Sequence, residues 1–245
     1  MNKFALAMLA SVSSAEWLTW YINVNDGVGA GYVKPKSFSS ASVDKWDLNL
    51  ANNNNGWLRW KKDDQLTDNS VWKPGVRGGS ISYDIDVSSV GSGCVSGLYL
   101  VESSDFGCTD NPLDTTNPQC RSIDLMQANL YGFETKPHPC SNGTCDAVSQ
   151  CILSVRDSLT NSGYGPGGAT IDTNKQFNVN NEFIATRDYT TFWKLRTTLT
   201  QEGRKITLES DCQDYLVALN ERIEGRMGIV AASWDNSAGG QDFEQ

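Results

Sequence analysis

The chain has 245 residues, enough to bury one substantial core and within the range of a single all-β sandwich. A formal charge of −9 with only 20 scattered basic residues argues against a nucleic-acid partner and is compatible with a neutral glycan. No stretch reaches the roughly 18 continuous apolar residues of a membrane-spanning helix, so no membrane partner is expected.

The first fifteen residues, MNKFALAMLASVSSA, combine a positive Lys3, a short apolar run from Phe4 to Leu9 and small residues at Ser13 and Ala15. That is the anatomy of a secretory signal peptide. Cleavage after Ala15 would leave residues 16–245 as one exported, extracellular domain.

From residue 16 to 101 the pattern is of strands and turns. WLTWYINV is rich in β-formers, NDGVGAG is turn chemistry, and the asparagine run from Asn52 reads as a loop leading into WLRW. Strand alternation puts Trp57 and Trp60 on opposite faces there. SISYDIDVSSV places Ile81, Tyr83, Ile85 and Val87 on one face and Ser82, Asp84, Asp86 and Ser88 on the other, and GLYLVESS begins the next strand. Asp84 and Asp86 then belong to a solvated face. Residues 102–120 form a loop rich in Pro, Asn and Asp, bracketed by Cys108 and Cys120.

The segment CRSIDLMQANLYGFETKPHPC, from Cys120 to Cys140, carries the chemistry. Ser122, Asp124 and Met126 alternate with Ile123 and Leu125, giving one wet and one dry face. Gln127 has the wrong parity to lie beside Asp124 unless one extra residue is bulged out, a device that re-aims side chains next to active sites. Pro137 and Pro139 end the ladder before Cys140.

Farther on, Asn142 opens an N-G-T glycosylation acceptor. Val148, Cys151, Ile152, Val155 and Leu159 recur at helical spacing, which predicts a short helix covering a sheet edge. YGPGGATIDTNKQFNVNNEF, TTFWKLRTTLT and RKITLES are turn-and-strand stretches. Asp211 is the expected N-cap of a helix through Tyr215, Leu216, Leu219 and Ile223, and MGIVAASWDN reads as a buried strand ending in Trp234 and Asp235. Seven cysteines behind an export signal imply disulfides with one left over, and none of their spacings reads as a zinc site.

The Ser122–Cys140 segment resembles glycoside hydrolase family 7, the cellobiohydrolases and endoglucanases, whose active strand reads E-x-D-x-x-E-A-N followed at fixed distance by P-H-P-C. Here the same positions read Ser122, Ile123, Asp124, Leu125, Met126, Gln127, Ala128 and Asn129, with Pro137 to Cys140 in register. The family's nucleophile falls on Ser122 and its acid/base on Gln127, so only Asp124 keeps a carboxylate. His138 matches the family's histidine. A Ser-His-Asp set of Ser122, His138 and Asp124 can be drawn, but the family runs no such triad. The likeness extends to the strands around residues 80–101, to the Y-G-P-G and D-T-x-K turns from Tyr164, and to the strand ending in Trp234.

The resemblance implies an all-β, concanavalin A-like jelly-roll sandwich of two curved antiparallel sheets with one or two short peripheral helices, C-terminally short relative to the family. It implies a β-1,4-glucan such as cellulose in an open groove, no metal or organic cofactor, and sugar-stacking tryptophans for which Trp57, Trp60 and Trp234 are the candidates. It also suggests disulfides pairing Cys108 with Cys120, Cys140 with Cys145 and Cys151 with Cys212, leaving Cys94 over. Three readings follow. The first is a glucan-binding protein that has lost efficient hydrolysis. The second is a weak cellulase using Asp124 with a substitute such as Glu102. The third is an extracellular coat or appendage protein linked through an intermolecular disulfide at Cys94.

Overall fold

The computed structural model describes residues 18–24, 27–33, 41–44, 47–50, 54–59, 71–102, 120–141, 144–145, 151–155 and 163–235, with side chains described over 71–102, 120–139, 151–155 and 163–233. The leader, Trp60, Cys108 and Asn142 lie outside those residues, as do the side chains of Trp57, Trp234, Cys140 and Cys145.

Strands follow wherever apolar and polar residues alternate. In chain order they are β1 (Leu18–Val24), β2 (Gly27–Val33), β3 (Ala41–Asp44), β4 (Asp47–Leu50), β5 (Asn54–Arg59), β6 (Ser80–Ile85), β7 (Cys94–Glu102), β8 (Ser122–Ala128), β9 (Phe133–His138), β10 (Cys140–Ser141), β11 (Thr144–Cys145), β12 (Leu153–Ser154), β13 (Tyr164–Gly165), β14 (Ile171–Asp172), β15 (Phe177–Ala185), β16 (Phe192–Gln201) and β17 (Arg204–Glu209). A helix, α1 (Gln213–Leu219), precedes β18 (Met227–Asp235). The three small pairings β3–β4, β10–β11 and β13–β14 stand apart from the main sheet.

Twelve strands form one continuous ladder in the order β12-β9-β8-β7-β18-β5-β2-β1-β6-β15-β16-β17. Its two halves meet at the short β2–β5 pairing of Tyr32 with Arg59 and Val33 with Leu58. They then stack face to face: the Tyr83 hydroxyl of β6 and the Asn181 amide of β15 both donate to the carbonyl of Leu125 on β8. This is the expected jelly-roll sandwich. Its core draws Ile81 and Tyr83 from β6, Leu98 and Leu100 from β7, Ile123 and Leu125 from β8, Phe177, Val179 and Phe183 from β15, and Leu195 and Leu199 from β16. Leu216 and Leu219 of α1 bury into the same cluster.

Four local expectations change. Gly27–Val33 pairs with β1 along seven positions, so the glycines of NDGVGAG lie in a strand. Residues 151–154 are not helical, whereas Val155 is, and Val148 and Leu159 of the expected helix lie outside the described residues. Leu153 and Ser154 add to the edge of β9 opposite Thr135 and Glu134, and Cys151 is tied by a disulfide to Cys212, 61 residues away. An edge that can be paired and a covalent tether outweigh a helical periodicity of five residues. The N-cap of α1 is Cys212, not Asp211, and it makes no side-chain capping bond. Ile223 lies beyond α1, in the turn that follows, yet is fully buried.

Candidate active site

β8 runs between β7 and β9, and its ladders fix what faces what. Tyr99 lies opposite Asp124 and Gly97 opposite Gln127 on one side; His138 lies opposite Ser122, Lys136 opposite Asp124 and Glu134 opposite Gln127 on the other. Both ladders shift register between Asp124 and Gln127, where Leu125 and Met126 together oppose Thr135. This is the bulge that the parity of Gln127 demands. It returns Gln127 to the face of Asp124 while Leu125 and Met126 both stay in the core.

A bulge leaves backbone groups without ladder partners, and leaving them unpaired in a core would cost about 1–3 kcal/mol each. Here side chains supply the bonds. Thr135 Oγ1 donates to the Asp124 carbonyl at 2.7 Å, while Asn181 Nδ2 and Tyr83 Oη reach the Leu125 carbonyl at 3.0 and 3.3 Å. Asn181 is itself fixed by a bond from Nδ2 to Thr197 Oγ1 at 2.9 Å. The opposing sheet thus holds the geometry of the site strand.

On the site face, one oxygen of Asp124 is the common acceptor. Gln127 Nε2 donates to Asp124 Oδ2 at 2.9 Å, and His138 Nε2 stands 3.1 Å from the same atom. The amide nitrogen can only donate, and the role of His138 Nε2 follows from the ring's tautomer. Gln127 Nε2 also reaches the Tyr99 hydroxyl at 3.4 Å. Asp124, Gln127 and His138 are 3%, 4% and 8% exposed, so these side chains are withdrawn from bulk water. Ser122 is half-buried beside His138, and among the described residues no hydrogen bond joins its hydroxyl to that ring. The Ser-His-Asp set is therefore in sequence register but not bonded as a triad.

Three further residues complete the face. Tyr99 folds its ring over Gly97, where any Cβ would overlap it, and clusters with Val101, Cys120, Val230 and Ala232. Lys136 is 1% exposed, with Nζ 3.4 Å from Glu134 Oε2. Sequence reading passed over Tyr99, Glu134 and Lys136. The signal for the last two was present, because Glu134, Lys136 and His138 alternate with Phe133, Thr135 and Pro137, and the second set points into the core.

Glu102 does not substitute for a missing acid. It shares the parity of Leu98 and Leu100 on β7, opposite to that of Tyr99. Its carboxylate is held by Arg121 at 3.2 Å and Arg222 at 2.9 Å. The Cys151–Cys212 pairing is present as expected. Cys120 is disulfide-bonded to a partner outside the described side chains, and β10 and β11 place Cys140 opposite Cys145 in the backbone. Cys94 is half-buried at the start of β7.

The chemistry available here is limited. Retaining hydrolysis of a glycoside needs a carboxylate to attack the anomeric carbon and a carboxylic acid to protonate the leaving oxygen. Asp124 is the one carboxylate among the three positions. The Gln127 amide releases no proton at ordinary pH, and among the described residues no base is bonded to Ser122.

No protein-family model matches the chain. Endoglucanase EG-1 of Hypocrea jecorina is 26% identical over 135 residues, a match covering 44% of this chain and 29% of that enzyme, so the shared region is under a third of the relative's length. The endocellulase EGI of Humicola insolens superimposes with a TM-score of 0.67 at 17% identity, over 83% of this chain and 69% of that one. A family 7 cellobiohydrolase from Daphnia pulex gives 0.60 at 17% identity, over 83% and 65%, and an endoglucanase I complexed with cellobiose gives 0.61 at 13% identity, over 95% and 86%. The chain resembles glycoside hydrolase family 7 in sequence and carries the jelly-roll fold of that family's cellulases.

Proposed function

We propose that this is a secreted, cellulase-like protein that recognises β-1,4-glucan along the face of β8 and hydrolyses it poorly or not at all. The observation that carries the reading is the bonding of Gln127. Its amide bridges Asp124 and Tyr99 at the position where the resemblance expects the acid/base glutamate, and Ser122 stands where it expects the nucleophile. The strand, its bulge and the Asp124–His138 contact persist around those two substitutions. Loss of general acid/base work alone costs about two to four orders of magnitude in rate, and loss of the nucleophile closes the covalent route.

The rest of the reading follows from the sequence. Residues 1–15 direct export, residues 16–245 fold as the glucan-binding domain, Asn142 is glycosylated, and Trp57, Trp60 and Trp234 offer ring faces to the sugar. Cys108–Cys120 and Cys140–Cys145 are the further disulfides. The likeness to an endoglucanase complexed with cellobiose supports the ligand class. The burial of Asp124, Gln127 and His138 supports a face from which bulk water is largely excluded.

The test is a paired assay on purified mature protein: retention on insoluble cellulose, with release of soluble sugar followed over days. Retention without release is the expected result. Release that disappears in Asp124→Asn would return the protein to the weak cellulases. Neither retention nor release would favour the coat or appendage reading, with Cys94 as the intermolecular link.

A further inference from the structure

We propose that Tyr131, at the tip between β8 and β9, is a stacking platform for a pyranose ring and extends the glucan site beyond Gln127. The inference rests on the glucan-binding reading above and adds a binding residue to it. Tyr131 is 47% exposed and sits four residues after Gln127, on the strand connection that leaves the site.

Isolated exposed aromatics are ordinary, so exposure alone carries little. What sets this one apart is the rigidity of its mount. Asn129, 1% exposed, accepts from the backbone N–H groups of Tyr131 and Gly132 at 2.8 and 2.9 Å, and its amide donates to the Cys94 carbonyl at 3.2 Å. The Asn129 carbonyl accepts from the Tyr164 hydroxyl at 2.9 Å, and that ring packs edge-on against Phe133 and Phe177. Leu130 is held at both ends, its N–H on the Val90 carbonyl and its own carbonyl under Thr173 Oγ1, each at 2.9 Å. Three separate segments, at Val90–Cys94, Tyr164 and Thr173, therefore fix a four-residue tip whose apolar ring remains in water.

A preorganised ring loses little conformational freedom on binding, and its face matches the C–H face of a pyranose. The other exposed aromatics are placed differently. Tyr189 and Trp193 lie on the β15–β16 hairpin of the other half of the sandwich, where the Tyr189 ring leans on Gly78. Tyr131 alone among them continues the site strand.

Isothermal titration of cellohexaose into the full protein, its Tyr131→Ala and Tyr131→Phe variants, and Tyr189→Ala as a surface control decides the matter. Tyr131→Ala is expected to weaken binding about fivefold to tenfold, with Tyr131→Phe within about twofold of the parent and Tyr189→Ala unchanged. Parental affinity in Tyr131→Ala, or equal losses in the Ala and Phe variants, would overturn the stacking role and leave the glucan reading standing. A parent protein that binds neither cellohexaose nor cellulose would overturn both.

Discussion

At position 127 the side chain keeps the reach of a glutamate and lacks its proton chemistry. Its amide can bond the Asp124 carboxylate at 2.9 Å because it brings a donor and no charge. A second carboxylate there would face the first at the same separation, and two such groups cannot both ionise. Gln127→Glu should therefore acquire a carboxyl whose folded-state pKa is raised. A raised value gives stability that is full below the unfolded pKa and is lost as pH rises through the folded one. Relative to the parent, the variant is expected to be nearly as stable at about pH 4 and about 1–3 kcal/mol less stable at about pH 8, read from urea midpoints at both. An equal shift at both values would show that charge repulsion is not the cause. Lys136, buried opposite Asp124, is near enough in the ladder to soften the effect, so Lys136→Met should deepen it.

Among the elements, the bulge in β8 decides where the site residues point, and it depends on side chains from the opposite sheet. Tyr83 is one of them, and burial pushes its phenol well above the usual tyrosine range. Its proton stays bound in the folded chain while the unfolded chain releases it above about pH 10. Stability from this group is thus full below about pH 10 and lost as pH rises beyond it. Tyr164 is raised by burial in the same way. Tyr83→Phe should lower stability by about 0.5–1.5 kcal/mol at neutral pH and make the loss between about pH 9 and pH 11 shallower than in the parent. An unchanged alkaline slope would contradict the role given to the Tyr83 hydroxyl. The bulge was legible in the sequence because the pleat has period two and Gln127 broke it. Asn181 was not legible. It occupies an inward position between Val179 and Phe183, where its amide nitrogen finds long-range partners in Leu125 and Thr197. Residues 151–154 departed from the helical spacing, which starts only at Val155, because an apolar period says nothing of an open strand edge at β9 or of a tether to Cys212.

For the whole molecule, the sandwich was readable from alternating strands and from the motif at Ser122–Cys140, while the withdrawal of the site from water was not. Burial of Asp124, Gln127 and His138 depends on contacts between residues far apart in sequence, and no local pattern encodes that. One long-range tie is covalent: the Cys151–Cys212 disulfide fastens the β12 edge to the start of α1. Replacing both cysteines by alanine should cost about 4 kcal/mol for a loop of this length, measured by urea denaturation, and a loss below about 1 kcal/mol would show that the tie is redundant. The proposed reading is of a family fold in which two chemical groups, at Ser122 and Gln127, differ. The most direct test is to restore them together, assaying sugar release from cellulose by Ser122→Glu/Gln127→Glu beside the parent and Asp124→Asn. Measurable release by the double variant and none by the other two is the expected result. Release by the parent at the rate of the double variant, abolished in Asp124→Asn, would contradict it.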